Sequence, residues 1–242
     1  MRVAFLSDVH ANFPALWRAL EGARRHGADA VVCAGDLVGF GPHPVEVVRL
    51  LIERRVRCIR GNVERKLLGL PSSPKRLKKR LDKKSSAALA WTALALGEEE
   101  RRFLESLPER LDLTFGGCSV LVVHGSPLSD TDYVYPSLTR RALEAKLGPL
   151  RPGVLVCGHS HVPFTRRVGG VRVVNCGSVG KPVDGDPRGA YALVDFLGGR
   201  AAKTRIVRFA YPAESVARDI AERRAAAAPP EEFLSGRKQS DG

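Results

Sequence analysis

The stretch VAFLSDVH, residues 3–10, places an apolar run directly before two residue types that commonly bind metals. The same arrangement recurs along the chain, where apolar, β-branched runs end just before Asp36, His124 and His159. Runs of this kind are typical of strands that are buried on both faces of a sheet. In open α/β sheets, ligands bind in the crevice beyond the carboxyl ends of such strands. The sequence therefore predicts an α/β fold with a polar site at one edge of its sheet.

Five short motifs contain residues that suit divalent metal ions. They are Asp8-Val9-His10, Gly35-Asp36, Gly61-Asn62, His124-Gly125 and Gly158-His159-Ser160-His161. Carboxylates and imidazoles bind such ions, one carboxylate can bridge two of them, and an asparagine carbonyl adds a neutral oxygen ligand. Two ions about 3.5–4 Å apart can clamp a phosphoryl group and hold a bridging hydroxide for in-line attack. Any one of these histidines alone would more often be structural, but their shared position at strand ends favours a site for two metal ions.

The chain of 242 residues is strongly basic, with 39 lysines and arginines, 26 acidic residues and a formal net charge of +13. This excess suits an anionic substrate or a nucleic acid, although it says nothing about the fold. It is concentrated between Lys75 and Lys84, where seven basic residues accompany one acid. That stretch is compatible with a solvated helix face and with a surface that binds a phosphate backbone or an acidic partner.

The sequence contains no run of eighteen apolar residues, and its first strand begins at Val3. We therefore expect a cytoplasmic protein without a signal peptide or a membrane span. The five cysteines are mostly embedded in apolar runs and form no C-x-x-C pair. They are expected to be reduced residues of the core.

Hydrophobic periodicity divides the chain into regions of different character. The first region alternates strands and helices, and strands dominate the last region. Between them, residues of about 64–110 are predicted to form a helical insertion over the site. We predict a single domain over residues 1–211. Residues 212–242 are expected to form a helix that ends near Ala228, followed by a loose tail.

The order of the motifs resembles the pattern of the calcineurin-like metallophosphoesterase superfamily. That pattern is D-x-H, G-D, G-N, H and G-H-x-H, and the resemblance covers roughly Met1 to Phe196. The segments that resemble its small bacterial and archaeal phosphodiesterase-like branch are residues 7–16, 124–127, 158–164 and 175–180. The helical span is similar to an insertion in members described as diadenosine-tetraphosphatase-like, since Ala90-Trp91-Thr92 is followed there by residues 103–108.

This resemblance implies a four-layer α/β/β/α sandwich and a centre of two divalent metal ions. One ion would bind Asp8, His10, Asp36 and His161, and the other would bind Asp36, Asn62, His124 and His159. Asp36 would bridge the two ions, and Asp36, Asn62 and His124 would take part directly in catalysis. Mn²⁺, Fe²⁺, Zn²⁺, Co²⁺ and Ni²⁺ all suit these ligands, so the identity of the metal stays open.

Three further residues are expected near the phosphate of the substrate. Asn12 follows the first motif, and Gly177 and Ser178 lie in a strand-end turn of the last matched segment. A short polar side chain and a glycine-rich turn can both approach an oxyanion. The alternative is that these residues are turn and helix-cap residues.

One position departs from the family pattern. Many members contain G-N-H-[DE], whose histidine is assigned to protonating the leaving group or binding the phosphate, whereas this chain has Gly61-Asn62-Val63-Glu64. Valine can do neither, and a general acid commonly contributes about 10²–10⁴ in rate. Substrates with poor leaving groups should therefore be hydrolysed least well. Glu64 is expected to contact the metal ligands without binding the metal itself.

Three functions from different classes are compatible with the sequence. The favoured one is a metal-dependent phosphoesterase that hydrolyses phosphodiesters, nucleotides or dinucleoside polyphosphates, with residues 129–137, including Tyr133 and Tyr135, helping to select the substrate. The second is a metal-dependent nuclease whose basic stretch follows a phosphate backbone. The third is a non-catalytic scaffold similar to the retromer scaffold subunit, against which the complete ligand set argues. The leucines and alanines of the helical span are also compatible with a homodimer.

Overall fold

The computed structural model describes residues 1–71, 73–81, 86–223, 225 and 227–238 of the chain. Its strands are β1 Arg2–Leu6, β2 Ala30–Cys33, β3 Arg57–Cys58, β4 Leu111–Phe115, β5 Cys118–Val122, β6 Val154–Cys157, β7 Phe164–Val168, β8 Val171–Asn175, β9 Gly189–Leu197 and β10 Arg200–Phe209. Its helices are α1 Phe13–Arg25, α2 Pro44–Glu53, α3 Asn62–Leu68, α4 Pro74–Leu81, α5 Ala87–Ala95, α6 Glu98–Glu105, α7 Arg140–Leu147, α8 Ala213–Glu222 and α9 Pro230–Ser235.

Two five-stranded sheets form the centre of the fold, with strand orders β10-β9-β1-β2-β3 and β4-β5-β6-β8-β7. β1, β2 and β3 run parallel, as do β5, β6 and β8, whereas β4, β7, β9 and β10 pair antiparallel. Parallel neighbours need a crossover connection, which α1 and α2 provide in the first sheet. Pro14 and Pro44 lie in the first turns of these helices, where a proline costs no hydrogen bond.

The two sheets face each other across an apolar interior, and helices cover their outer faces. Phe5 packs edge-on against Phe115 and Phe196, with ring centroids 6.2 and 6.5 Å apart, among valines from both sheets. α1 and α2 pack on the outer face of the first sheet. Leu143 and Leu147 of α7 pack on the outer face of the second sheet. These four layers confirm the expected α/β/β/α sandwich.

The helical insertion forms part of the outer helical layer. It begins at Asn62, two residues before the predicted start at residue 64, and continues through α6. The sequence led us to expect it over the site. Its buried residues Leu67, Leu77 and Leu104 belong to the apolar cluster of α1 and α2, which also contains Val9 and Leu37 of the ligand loops, and a position over the site stays a prediction. The contact with the site comes from the first turn of α3, which carries Asn62.

The basic helix α4 buries Leu77 and directs its charged side chains outward. The exposed basic residues of α4 are Lys75, Arg76, Lys78, Lys79 and Arg80. This arrangement agrees with the interpretation as a solvated helix face. The rest of the stretch, Asp82 to Lys84, lies outside the described residues.

The segment after β10 differs from the predicted loose tail. α8 ends at Glu222 instead of near Ala228, and α9 follows as a second helix. Phe233 of α9 is fully buried in a cluster with Val216, and Phe40 packs against this cluster. A six-residue helix shows too little periodicity to be recognised in the sequence, and its order here comes from that packing. The division of the chain at residue 211 stays a prediction.

All five cysteines are free and buried, as expected of reduced core residues. Among the described residues, no helix is long and apolar enough to cross a membrane. The longest of them, α1, has 13 residues, whereas a bilayer requires about 20. The expectations of a cytoplasmic location and of a homodimer stay predictions.

Candidate metal centre

Parallel strands carry the predicted ligands to one edge of the fold. Asp8 follows β1, Asp36 follows β2, Asn62 follows β3, His124 follows β5, and His159 follows β6. The carboxyl ends of parallel strands point to the same side of a sheet. Because the two sheets face each other, residues from distant parts of the chain meet at this edge.

Two groups of these residues are arranged as metal sites. The groups are Asp8, His10 and His161, and Asp36, His124 and His159, and within each the ligand atoms lie within 4.8 Å of one another. Asp36 lies between the groups, since its Oδ2 is 3.8 Å from His10 Nε2 and 3.4 Å from His124 Nε2. Asn62 extends the second group, with its Oδ1 3.0 Å from His124 Nε2. The grouping has the form that the family resemblance implies.

Several buried polar atoms in these groups lack a hydrogen-bond partner among the described residues. They are Asp8 Oδ1, His10 Nδ1 and His159 Nε2. Asp8 and His10 are 0% and 1% exposed, so bulk solvent does not reach them. An unpaired buried polar atom costs about 1–3 kcal/mol. A bound cation would remove this cost at Asp8 Oδ1 and His159 Nε2, whereas His10 faces the two carboxylates through Nε2. The donor set of carboxylates, imidazoles and one amide fits a divalent transition metal.

Five of the seven predicted ligands have left-handed backbone conformations. The φ angles are 54° at Asp8, 48° at His10, 53° at Asp36, 62° at His159 and 57° at His161. Residues with a side chain rarely adopt this conformation, which costs about 1–3 kcal/mol each and is concentrated at functional sites. Backbone hydrogen bonds hold it in place, for example from Asp8 N–H to Gly35 O at 3.0 Å. These backbone conformations therefore lower the stability of the fold, and they direct the ligand side chains towards one point.

Backbone carbonyls orient two of the imidazole rings. His124 Nδ1 lies 2.8 Å from Ala34 O, and His161 Nδ1 pairs with Lys181 O. Each contact requires a proton on Nδ1 and leaves Nε2 available for a metal. The two Nε2 atoms face carboxylates, since His124 Nε2 is 3.4 Å from Asp36 Oδ2 and His161 Nε2 is 3.2 Å from Asp8 Oδ1.

Electrostatic interactions keep the two carboxylates ionised. Burial opposes their ionisation, but neighbouring histidines outweigh it and hold the pKa of Asp8 and of Asp36 below the usual value. Burial also disfavours the charged form of His124, yet Asp36 and Asp8 outweigh it and raise the pKa of His124 to about 10. In the metal-free protein, His124 thus carries a proton at neutral pH that a metal ion must displace.

The carboxylate of Glu64 ties two ligand loops together. Its Oε1 accepts hydrogen bonds from the backbone N–H of Leu37 and Val38 at 2.8 and 3.1 Å. Its Oε2 accepts from Asp36 and Gly61, both at 2.9 Å. Burial, with Asp36 as the next cause, raises the pKa of Glu64 to about 7, while backbone donors act in the opposite direction. The supporting contact expected of Glu64 is therefore present, and it reaches the loops of Asp36 and Asn62 together.

Two of the residues predicted to lie near the phosphate, Asn12 and Ser178, form hydrogen bonds with the backbone. Asn12 caps α1 by accepting from Ala15 N–H at 3.1 Å, and its Nδ2 donates to Gly180 O at 2.8 Å. Ser178 Oγ donates to Asp8 O at 2.7 Å. Gly177 has a φ of 71°, in the left-handed region that favours glycine. The structure thus shows the cap and turn roles for these residues, and a contact with phosphate stays a prediction.

Sequence reasoning missed the role of Asn175 at the end of β8. Its Nδ2 lies 2.9 Å from both Gly158 O and Ser160 Oγ, and its Oδ1 accepts from Gly177 N–H at 2.9 Å. The side chain therefore stabilises the turn that contains His159 and is followed by His161. The available signal was a polar residue at the end of a buried apolar strand.

A cavity of about 330 Å³ adjoins His124. Arg60, Arg65 and Arg110 contribute to its lining. Arg65 also bonds both carboxylate oxygens of Asp130, at 2.6 and 3.1 Å. Guanidinium groups recognise phosphates through their planar set of donors. The cavity beside His124 therefore presents guanidinium groups that are paired with Glu109, Asp130 and Asp112.

The chain matches one protein family over most of its length. The family described as "Calcineurin-like phosphoesterase superfamily domain" matches residues 1–199, a range that includes all seven predicted ligands. The chain belongs to the calcineurin-like phosphoesterase superfamily. This phosphoesterase is accordingly a hydrolase of the metallophosphoesterase type, and its family implies divalent metal ions.

Similar proteins place this phosphoesterase in the phosphodiesterase-like branch. The crystal structure of a metallophosphoesterase from Sphaerobacter thermophilus is 29% identical with a TM-score of 0.79, and covers 98% of this chain and 99% of that chain. A hypothetical protein from Pyrococcus horikoshii OT3 is 27% identical with a TM-score of 0.83 and the same coverage. Phosphodiesterase YfcE of Escherichia coli (strain K12) is 27% identical over 209 residues, 81% of this chain and 88% of that protein. The two structures also match beyond Phe196, where the motif resemblance ends.

Proposed function

We propose that this phosphoesterase hydrolyses phosphodiesters, nucleotides or dinucleoside polyphosphates with two divalent metal ions. The proposal depends on one observation, which is that two ligand groups lie on either side of a shared carboxylate, Asp36. Two metal ions held in this way can bind both the attacking and the leaving oxygen of a phosphoryl group. The metal identity, expected among Mn²⁺, Fe²⁺, Zn²⁺, Co²⁺ and Ni²⁺, follows availability as much as affinity.

The residues of the chain would hold this centre as two overlapping sets. The first set is Asp8, His10, Asp36 and His161, and the second set is Asp36, Asn62, His124 and His159. When bound, the ions would polarise the phosphoryl oxygens and lower the pKa of the attacking water. The burial of Asp8 and His10 keeps bulk water away from the centre, which strengthens its electrostatic interactions.

The nature of the leaving group narrows the choice of substrate. Val63 occupies the position of the usual histidine, is 2% exposed, and donates its backbone N–H to Asp36 Oδ1 at 2.9 Å. Its side chain cannot supply a proton, so leaving groups that depart as stable anions are favoured. Arg60 and Arg65 line the cavity beside His124, where they are paired with Glu109 and Asp130, so a leaving anion would compete with these carboxylates for the guanidinium donors. Activated diesters and phosphoanhydrides fit these conditions better than alkyl monoesters, and the name of the relative YfcE supports a diester.

A nuclease is a second candidate because α4 exposes five basic side chains. Such a surface can follow a phosphate backbone, with binding that weakens steeply as salt increases. Faster hydrolysis of oligonucleotides than of nucleotides would favour the nuclease, provided that this preference disappears when the salt concentration rises from about 50 to 200 mM. Equal or faster turnover of single nucleotides and simple diesters would favour the small-molecule phosphoesterase.

The proposal is tested by metal content and by turnover on two model substrates. Mass spectrometry should detect close to two ions per chain, and Mn²⁺ should support hydrolysis of bis-p-nitrophenyl phosphate better than of p-nitrophenyl phosphate. Asp36→Asn should abolish turnover and lower the metal content at both positions. Asp29→Asn is the matched control, because Asp29 is exposed at the opposite end of β2. Absence of both metal and turnover with every divalent ion would reject the proposal and favour a scaffold.

A further inference from the structure

Two exposed tyrosines stack outward from one of the predicted metal ligands. The ring of Tyr133 lies on the ring of His159, with centroids 4.4 Å apart and an interplanar angle of 26°. Tyr135 lies on Tyr133 at 5.4 Å and 10°. Tyr133 is 48% exposed and Tyr135 is 37% exposed. Exposed, mutually stacked aromatic rings beside a polar site are typical of a ligand-binding position.

Ion pairs and a buried residue hold the loop that carries these rings. Asp130 is bonded by Arg65 at 2.6 and 3.1 Å. Asp132 accepts a hydrogen bond from Ser126 Oγ at 2.7 Å and pairs with Lys146. Since its acidic residues are paired, the loop presents little unbalanced negative charge to an anionic substrate. The rings are therefore positioned before a ligand arrives, which reduces the entropy lost on binding.

Shielding of the metal ligand explains only part of this arrangement. Tyr133 covers one face of His159 and so restricts the imidazole. Tyr135 makes its ring contact with Tyr133, so it is not needed to cover His159. The backbone between them is held by Val134, which is buried and whose carbonyl accepts from Asn175 Nδ2 at 3.2 Å. The loop thus fixes a second ring that has no role in shielding His159.

We propose that the exposed ring of Tyr135, which is stacked on Tyr133, forms a stacking site for the nucleobase of a substrate whose phosphate lies at the metal centre. This inference rests on the proposed function and selects, among its substrates, those that carry a base. Stacking on aromatic side chains accepts every base because each has a flat π-face. The site therefore selects a nucleoside phosphate over a base-free phosphodiester without reading the identity of the base.

The experiment compares two substrates that share a leaving group and differ in the base. The p-nitrophenyl ester of thymidine 5′-phosphate carries a base, and ethyl p-nitrophenyl phosphate does not. We expect Tyr135→Ala to lower the ratio of their kcat/KM values by about 5- to 150-fold, the range for loss of one stacked base. Tyr135→Phe should keep the ratio, since it retains the ring. Leu197→Ala is the control, because Leu197 is an exposed apolar residue at the end of β9, beside the amino end of β1.

The outcomes separate this inference from the proposed function. Turnover of both esters with an unchanged ratio in Tyr135→Ala would overturn the nucleobase site and leave the phosphoesterase proposal intact. If the parent protein hydrolyses neither ester, calorimetry with AMP and ribose 5-phosphate in the presence of Mn²⁺ decides the question. Tighter binding of AMP that Tyr135→Ala removes supports the site. Equal binding of the two compounds, or no binding of either, overturns it.

Discussion

Glu64 offers the strongest test of how the fold holds the predicted metal centre. Its buried carboxylate accepts four backbone N–H donors, at distances between 2.8 and 3.1 Å. Two of the donors belong to the residues Asp36 and Gly61, which lie in or next to the ligand loops. Glu64→Gln keeps the size of the side chain but turns one oxygen into an NH₂ group. That group would then face two backbone donors instead of accepting from them.

The cost of this change follows from the number of donors that lose their acceptor. Each buried donor left unpaired costs about 1–3 kcal/mol, more where a charged acceptor is lost. Allowing for local relaxation, we expect Glu64→Gln to lower the free energy of unfolding by about 2–4 kcal/mol. Because the displaced loops carry Asp36 and Asn62, the affinity for metal should fall together with stability.

The assay is urea denaturation of the metal-free protein, followed by metal titration of the folded variant. Glu100→Gln is the control, because Glu100 is also buried. Its Oε1 pairs with Nε of the exposed Arg49 at 2.7 Å, so the neutral variant also loses an ion pair, but one with a solvent-exposed partner. Its Oε2 accepts one backbone N–H, from Gly97 at 2.9 Å. Gln can keep a single bond of this kind, so its loss of stability should be smaller, about 1 kcal/mol. If Glu64→Gln costs no more than Glu100→Gln and leaves metal affinity unchanged, the role assigned to Glu64 is wrong.

Three further changes test other parts of the structure. Val63→His should raise activity on monoesters relative to diesters, measured with the two p-nitrophenyl substrates. Overpacking beside Gly39 should lower the free energy of unfolding of this variant by about 1–3 kcal/mol. An unchanged activity ratio would argue against a missing general acid. Since the pKa of His124 is raised to about 10, metal binding should release a proton below that pH, and affinity should rise by up to about tenfold per pH unit for each proton released. Proton release on metal binding is measured by calorimetry in buffers of different ionisation enthalpy, and absence of release would contradict the protonation assigned to His124. The same raised pKa stabilises the metal-free fold fully below about pH 6.5, and this contribution should decline as pH rises to about 10. Phe233→Ala, at a fully buried position, should cost about 3–5 kcal/mol, whereas exposed Leu234→Ala should cost less than about 0.5 kcal/mol; similar urea midpoints for the two would mean that α9 contributes little to the fold.

Much of the site could be predicted because its signals are local in the sequence. An apolar run followed within three residues by Asp8 or Asp36 is visible without any knowledge of the fold. The position of such residues at strand ends follows from the run itself, and their meeting at one edge follows from the geometry of parallel strands. The four layers came from the family resemblance and from the strand-rich second half of the chain, and the structure confirms them.

The order of the C-terminal segment and the packing partner of the helical insertion could not be predicted in this way. α9 is short, and its residue Phe233 is ordered by an apolar cluster that Phe40 also contacts, far away in the chain. The helices of the insertion have apolar faces, but the sequence does not identify the helix against which they pack. The structure shows that this partner is α2.

The sequence by itself determined the kinds of ligand, their order and their attachment to buried strands, because these depend on neighbouring residues. The tertiary structure decided what holds and surrounds them. The left-handed backbone at five of the predicted ligands is stable only where surrounding hydrogen bonds hold it. The contacts of Glu64 with Leu37 and of Tyr133 with His159 join residues that are far apart in the chain. Such contacts depend on how the two sheets and their loops pack, and no local pattern of residues encodes that packing.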